Sequence, residues 1–352
     1  MKIAQIAPLY EAVPPRLYGG TERVVAHLTD ALVDLGHQVT LFAAGSEGTK
    51  ATRVTGRAHP LRLDPEPFKS DLASHLSMLH DVKRRAHEFD IVHFHIDLLH
   101  FPFFETMADR TLTTLHGRLD MNDLSGAYQR WSDFPLVSIS DHQRIALPHA
   151  NWHETIPHGL ALDAYTPSYR AGGYLAFLGR ISPEKRPDRA IAIAIAAGMP
   201  LKLAAKVDNA DKDYFDAVIK PMLDHPLIEF LGEIDDAQKS EFLGNAQALL
   251  FPIDWPEPFG LVMIEAMACG TPVIAWRCGS VPEIIDEGVT GFIVDNEPQA
   301  VRAISHALEL DRRQVRRTFE ARFSAQVMAT QYVASYERVL ASQPLIPFKR
   351  TA

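Results

Sequence analysis

Short, unbroken apolar runs alternate with longer amphipathic stretches along most of the chain. The first run, KIAQIAP, ends at Pro8 and has no polar–apolar alternation, the pattern of a strand buried on both faces of a parallel sheet. A loop rich in Pro and Gly follows and closes on RLYGG. The next stretch, TERVVAHLTDALVDLG, places Val24, Val25, Leu28, Leu32 and Leu35 at helical spacing and stops at Gly36. QVTLFAAG, DIVHFH, TLTTLHG and PLVSIS read as further strands, with DLASHLSMLHDVKRRAHEF as a helix among them. Alternating strands and helices predict a parallel sheet covered on both faces.

The pattern breaks at Ala161–Gly173, where LDAYTPSYRAGG is polar and turn-rich, and then begins again. YLAFLGR, LKLAAKV, LIEFLGEI, ALLFPI, PVIAW and GFIVD are short strands. RAIAIAIAAG alternates Ile and Ala, which suits a strand; its alanine content and its place between two strands predict a helix. The expectation is an α/β chain of two facing, doubly wound, Rossmann-like domains, at 1–165 and 166–323. A final segment, 324–352, follows. Within it SAQVMATQYVASYERVL carries Val327, Met328, Tyr332, Tyr336, Val339 and Leu340 on one helical stripe, and the tail after it has no pattern. Sheets of this kind bind ligands at the carboxyl ends of their strands, so two facing sheets predict a small-molecule site in the cleft between them.

A length of 352 residues agrees with two cores rather than one. The formal net charge of −9 argues against a nucleic-acid binder that works through a basic surface. The two cysteines, Cys269 and Cys278, lie in or near apolar segments without metal-ligand spacing, which suits a reducing compartment. No apolar stretch has the length of a signal peptide or of a membrane span, so the expected location is cytoplasmic. The cationic run DVKRRAHEF leaves open a peripheral contact with anionic lipid beside the plainer reading of a solvated helix face.

Candidate chemistry concentrates in WPEPFGLVMIEAMACGTPVIA, residues 255–275. Pro258 biases Glu257 toward an extended loop, so a helix can begin near Phe259 or Gly260. The free N–H groups of Gly260, Leu261 and Val262 then form an anion site at the positive end of the helix. Glu265 follows about 1.5 turns later, in an otherwise apolar helix. A buried carboxylate needs partners, and a vicinal diol such as that of a ribose offers two hydrogen bonds. The picture is a nucleotide, with its diphosphate at the helix start and its ribose at Glu265. Glu257 then reaches toward whatever the diphosphate carries. Arg180 and Lys185, five residues apart after a strand, supply a fork and a point charge for the same diphosphate. Gly19 and Gly20 allow close approach of backbone to phosphate ahead of a helix. His93 and His95 share one face of a strand, and with Asp97 they raise a metal site as an alternative to plain strand residues.

EPFGLVMIEAMACGTPVIAWRCGSVPEIIDEGVTGFIV resembles the signature of the retaining glycosyltransferases of family 4, in which a glutamate, seven residues and a second glutamate recur. YLAFLGRISPEKRPDRAIAIA resembles the family's Arg–Lys donor-phosphate segment, YGGTERVV its glycine-rich loop, and TTLHG the strand end bearing a sugar-facing histidine, here His116. TIPHGL resembles a segment with Asn before Gly in the family; His158 stands there, and no role is carried over to it. The resemblance implies the two-domain GT-B fold and metal-independent transfer of a hexose from a nucleotide-diphospho-sugar, with a UDP-sugar first and GDP-mannose second. It implies a hydroxyl acceptor, bound by the loops around YEAVPPRLYGG and HGRLDMNDLSGAYQRW, and a final helix that returns to the first domain. The implied catalytic residues are Glu257, His116, Arg180 and Lys185. The implied donor-binding residues are Gly19, Gly20, Arg180, Lys185, Phe259, Gly260, Leu261, Val262 and Glu265. Two alternatives remain: a nucleotide-sugar epimerase of the same fold, and a sugar-nucleotide-binding protein without activity. No segment suits pyridoxal phosphate.

Overall fold

A computed structural model of the chain describes residues 1–16, 19–45, 48–170 and 172–342. The patternless tail beyond residue 342, and Leu17 and Tyr18 of the expected acceptor-side loop, lie outside the described residues. The first sheet holds β1 (Lys2–Ile6), β2 (Gln38–Ala44), β3 (Thr52–Arg57), β4 (Ile91–Phe94), β5 (Thr111–Thr114), β6 (Leu136–Ser138) and β7 (Trp152–Thr155). Their order is β3-β2-β1-β4-β5-β6-β7. The second sheet holds β8 (Tyr174–Arg180), β9 (Leu201–Lys206), β10 (Ile228–Gly232), β11 (Ala246–Phe251), β12 (Val273–Trp276) and β13 (Gly291–Val294), ordered β10-β9-β8-β11-β12-β13. Every pairing is parallel. Each sheet reverses its winding beside its own first strand, between β1 and β4 and between β8 and β11, and opens a crevice at the carboxyl ends.

The apolar runs become central strands because both faces are covered. Ile3, Ala4, Ile6, Val92, Phe94, Leu175 and Leu249 have almost no exposure. RAIAIAIAAG forms a helix, Pro187–Ala197, with proline in its first turn and Gly198 ending it at φ 64°. Helical winding turns Ala190, Ile191, Ile193 and Ala194 onto the second sheet's core and leaves Ile195 facing outward. The strands β3 and β7, which the hydrophobic pattern does not announce, are the two edges of the first sheet, and their residues are mostly half-buried.

The final helix, Ala325–Ala341, is capped by Ser324, whose side chain accepts a hydrogen bond from the Val327 N–H. Its stripe of Met328, Ala329, Tyr332, Tyr336 and Val339 packs with Ile3, Val24, Leu28 and Leu32 of the first domain. Among the described residues, no helix is long and apolar enough to cross a membrane.

The chain passes between the domains twice, side by side. The Leu160 N–H donates to Phe323 O at 2.9 Å, and the Ala325 N–H donates to Leu160 O at 2.8 Å. Gly159 permits this approach: a β-carbon there would lie 2.5 Å from Ser324 O. Gly159→Ala is therefore expected to lower stability by roughly 1–3 kcal/mol, the usual range for forced overpacking. Gly173→Ala, with open space around it, is the control and should stay near wild type. Urea unfolding midpoints at constant slope read the difference.

Candidate active site

Two helix starts meet in the cleft. The helix Leu261–Ala268 follows Gly260, whose φ of 79° is left-handed, and a β-carbon there would lie 3.0 Å from the Phe251 ring. No side chain caps this helix. The helix Gly20–Asp34 of the other domain starts after Gly19, also without a side-chain cap. The two starts face each other closely: a β-carbon on Gly20 would lie 3.2 Å from Leu261 Cδ1. Two helix starts without side-chain caps, with their two positive dipole ends, therefore converge from both domains on one place.

Glu265, four residues past Leu261 in the helix Leu261–Ala268, is buried. Tyr165 donates to its Oε1 at 2.8 Å and Lys239 to the same atom at 3.1 Å. Burial alone would raise its pKa, but Lys239, Arg23 and the Tyr165 hydroxyl outweigh it and hold the carboxyl below its ordinary value. Arg23 belongs to the first domain and pairs with Asp236 of the second at 2.7 Å, so the charge set around Glu265 spans both. Oε1 is thus taken by the protein's own donors.

Arg180 ends β8 and donates to Glu184 at 2.7 Å, with Asp208 and Asp211 at 3.8 and 3.7 Å. Lys185 forms an ion pair with Glu257 and lies over the rings of Trp255, 4.9 Å away, and Phe251, 5.8 Å away. Trp255 Nε1 also donates to Glu257 at 3.1 Å. The Glu257 loop is wedged against Gly279, where a β-carbon would lie 2.4 Å from the Glu257 backbone. The Ser280 N–H donates to Glu257 O at 3.0 Å. Both cations are held by carboxylates, so an anion entering between them would exchange for partners already present.

His116 follows β5. Its Nε2 lies 2.8 Å from His95 Nδ1, and its Nδ1 has no partner. Burial pushes its pKa down to about 3, so the ring is neutral at ordinary pH. It stacks at 5.1 Å on His158, which lies 4.9 Å from Phe259. The metal alternative meets engaged nitrogens: His93 contacts Tyr336 and Thr114, and His95 contacts His116 and Gln5, each at 2.7 or 2.8 Å. Among the described residues, no group of three His, Cys, Asp or Glu side chains is placed to hold a metal ion.

All eleven residues implied for catalysis and donor binding line one cavity of about 660 Å³ between the domains: Gly19, Gly20, His116, Arg180, Lys185, Glu257, Phe259, Gly260, Leu261, Val262 and Glu265. The pattern did not point to Arg23 or Lys239, which line it too, or to Tyr165 behind Glu265; His95, raised as a metal ligand, and His158, to which no role was carried over, also line it. Each pairs with a residue distant in sequence, and local patterning carries no such signal. The first domain closes the far side with Tyr10, Arg62, Asp71, Leu72 and His75. Asp97 is exposed to the same space with φ 50°, and desolvation by the protein walls around it pushes its pKa up to about 6.

Comparison with known proteins agrees across both halves. Residues 18–152 match the model of Glycosyltransferase Family 4 and residues 167–322 that of Glycosyl transferases group 1. The phosphatidyl-myo-inositol mannosyltransferase of Mycolicibacterium smegmatis is 27% identical over 372 residues, covering 93% of this chain and 89% of its own. That of Mycobacterium leprae is 24% identical over 382 residues, covering 97% and 98%. Among solved structures, AviGT4, a glycosyltransferase involved in avilamycin A biosynthesis, superposes with a TM-score of 0.76 at 25% identity over 97% of this chain and 99% of its own. Sucrose-phosphate synthase of Thermosynechococcus elongatus shares the fold at a TM-score of 0.76 and 20% identity, over 97% and 100% of the two chains.

Removing Lys239 tests the charge balance at Glu265. In wild type the folded carboxyl has the lower pKa, so its contribution is present above the unfolded value and is lost as pH falls through the folded one. Lys239→Met should reverse the sign of the shift and lower stability at pH 7 by roughly 2–4 kcal/mol, since Arg23 and Tyr165 remain. At pH 5 the loss should be smaller, because the carboxyl can then neutralise itself by taking a proton. Urea unfolding at both pH values measures this, and an equal loss at each would contradict it.

Proposed function

The chain belongs to glycosyltransferase family 4, with the two-domain GT-B fold, and from that premise we propose that it transfers a hexose, with retention of anomeric configuration, from a nucleoside-diphosphate sugar to a hydroxyl acceptor. The observation that carries this reading is the meeting of two uncapped helix starts at Gly20 and Leu261, with Arg180 and Lys185 beside them. As the bond between the anomeric carbon and the diphosphate breaks, negative charge grows on the leaving oxygen. Fixed N–H dipoles and two cations stabilise that charge without the reorganisation that water would need. These groups do the work that a divalent metal does elsewhere, so transfer is metal-independent in this reading.

Glu265 takes the ribose. Tyr165 and Lys239 hold Oε1, and the carboxylate stays ionised, ready to accept from the diol. Glu257 sits ahead of the helix start, on the sugar side of the phosphate position. When the donor's phosphates take over Lys185, the Glu257 carboxylate is released toward the sugar, where positive charge develops at the anomeric carbon. His116 meets the sugar as a neutral imidazole. A UDP-hexose is the first candidate donor. A nucleoside-diphosphate mannose stands second, in keeping with the mannosyl transfer named for the curated relatives.

A panel of nucleotide sugars, scored for thermal stabilisation and for release of nucleoside diphosphate with and without polyol acceptors, tests the assignment. Binding with acceptor-stimulated release is expected, and it should persist in EDTA. Consumption of donor to an isomeric nucleotide sugar would establish the epimerase instead. Loss in EDTA that Mg²⁺ or Mn²⁺ restores would overturn the metal-independent reading.

Glu257→Gln keeps shape and most hydrogen bonding but removes charge. The loss should fall on kcat, on the order of 100-fold, because the charge matters more in the transition state than in the bound donor. Affinity for the bare nucleoside diphosphate should change little. Near-normal turnover would reduce Glu257 to a loop residue.

A further inference from the structure

Behind His116 runs a buried chain of polar groups that the transfer chemistry above does not use. It begins on the final helix, where the Tyr336 hydroxyl accepts from Gln5 Nε2 at 3.0 Å. The Gln5 side chain is therefore oriented with its oxygen toward β4, and Oε1 lies 2.7 Å from His95 Nε2. An amide oxygen can only accept, so the proton of His95 is on Nε2 and its Nδ1 is bare. His95 Nδ1 in turn lies 2.8 Å from His116 Nε2, so that nitrogen must donate. The neutral His116 ring then has one polar atom left, a bare Nδ1, and that atom has no partner. The branch through His93 runs consistently. Tyr336, having accepted from Gln5, gives its own proton to His93 Nδ1 at 2.8 Å, and His93 Nε2 donates to Thr114 Oγ1 at 2.8 Å. Every donor in the chain has one acceptor, and the direction is set at Gln5.

We propose that Gln5 and Tyr336 are positioning residues for the transfer: through His95 they hold His116 as its neutral Nε2–H form and leave Nδ1 as a bare acceptor, buried just behind the cavity wall, which a hydroxyl of the donor sugar reaches as the site adjusts around it. The reverse form would present an N–H there instead and would lose that acceptor. The arrangement also puts the Tyr336 hydroxyl of the final helix three hydrogen bonds from His116. The proposal rests on the sugar-donor reading, but the proton's place on His116 does not.

Nitrogen-15 NMR of histidine-labelled protein, with His116 identified by comparison with His116→Asn, reads that place directly. The Nε2–H form is expected in wild type. Gln5→Leu removes the acceptor that fixes His95, and His116 should then populate both forms, with kcat about tenfold lower, as for outer partners of working histidines elsewhere. Nucleoside-diphosphate affinity should stay unchanged, since that ligand has no sugar. His95→Asn sets an amide oxygen near the place of Nδ1; it should retain the Nε2–H form and stay within about threefold of wild-type kcat, whereas His95→Leu should not. A wild-type His116 protonated on Nδ1 or on both nitrogens would overturn the proposal, as would Gln5→Leu with an unaltered tautomer and unaltered kcat. Should no sugar nucleotide turn over while His116 still shows the Nε2–H form, the transferase reading fails and the hydrogen-bond chain stands without its proposed role.

Discussion

A carboxylate kept ionised inside an apolar helix is the condition around which this molecule is arranged. Glu265 is charged only because Lys239, Tyr165 and Arg23 converge on it, and they come from three separate parts of the chain. Lys239 belongs to the short helix Asp236–Gly244, Tyr165 to the passage between domains, and Arg23 to the first helix of the other domain. Loss of any one leaves a buried charge less compensated, at a penalty of several kcal/mol. The interdomain pair of Arg23 with Asp236 belongs to the same set. The placement of the two domains and the state of one carboxylate are therefore one electrostatic problem.

The same economy appears at the two helix starts. Each lacks a side-chain cap, and with glycine at the cap position the loss is only a few tenths of a kcal/mol. In each the cap position is glycine, Gly260 and Gly19, and glycine is what permits the approach: Gly260 for its left-handed backbone against Phe251, and Gly20, the first residue after the other cap, for its contact with Leu261. The N–H groups left free there are the ones that an anion from the cleft can use. Arg180 and Lys185 are likewise held by carboxylates, which the donor's diphosphate displaces in the function proposed above.

Much of this was legible in the sequence, and the boundary of legibility has a physical cause. Central strands announced themselves because both faces are buried, so ALLFPI and PVIAW are apolar without interruption. The edge strands TRVTGR and WHET did not, because half-exposed edges tolerate polar residues and look like loops. The Ile–Ala helix was ambiguous by period and was read correctly from alanine content and position. In the site, Glu257, Glu265, Arg180 and Lys185 could be picked out because each stands at a local oddity: a carboxylate between prolines, a charge in an apolar helix, two cations just past a strand. Their partners could not. Gln5 meets Tyr336 across 331 residues and Tyr165 meets Glu265 across 100, and spacing along the chain says nothing of such pairs. Tyr332 and Tyr336 were visible only as members of an apolar stripe, while their hydroxyls belong to the polar chain behind His116.

The paired crossing at Leu160 and Ser324 carries a mechanical consequence. Two covalent passages between the same two bodies, tied to each other by hydrogen bonds, leave one easy relative motion: rotation about the line through both. Sliding or twisting would have to stretch one passage against the other. Any opening of the cleft is then a swing on a fixed axis, and each return brings Gly20 back to the same place over Leu261. A machine with a single degree of freedom needs no guidance to find its working geometry again.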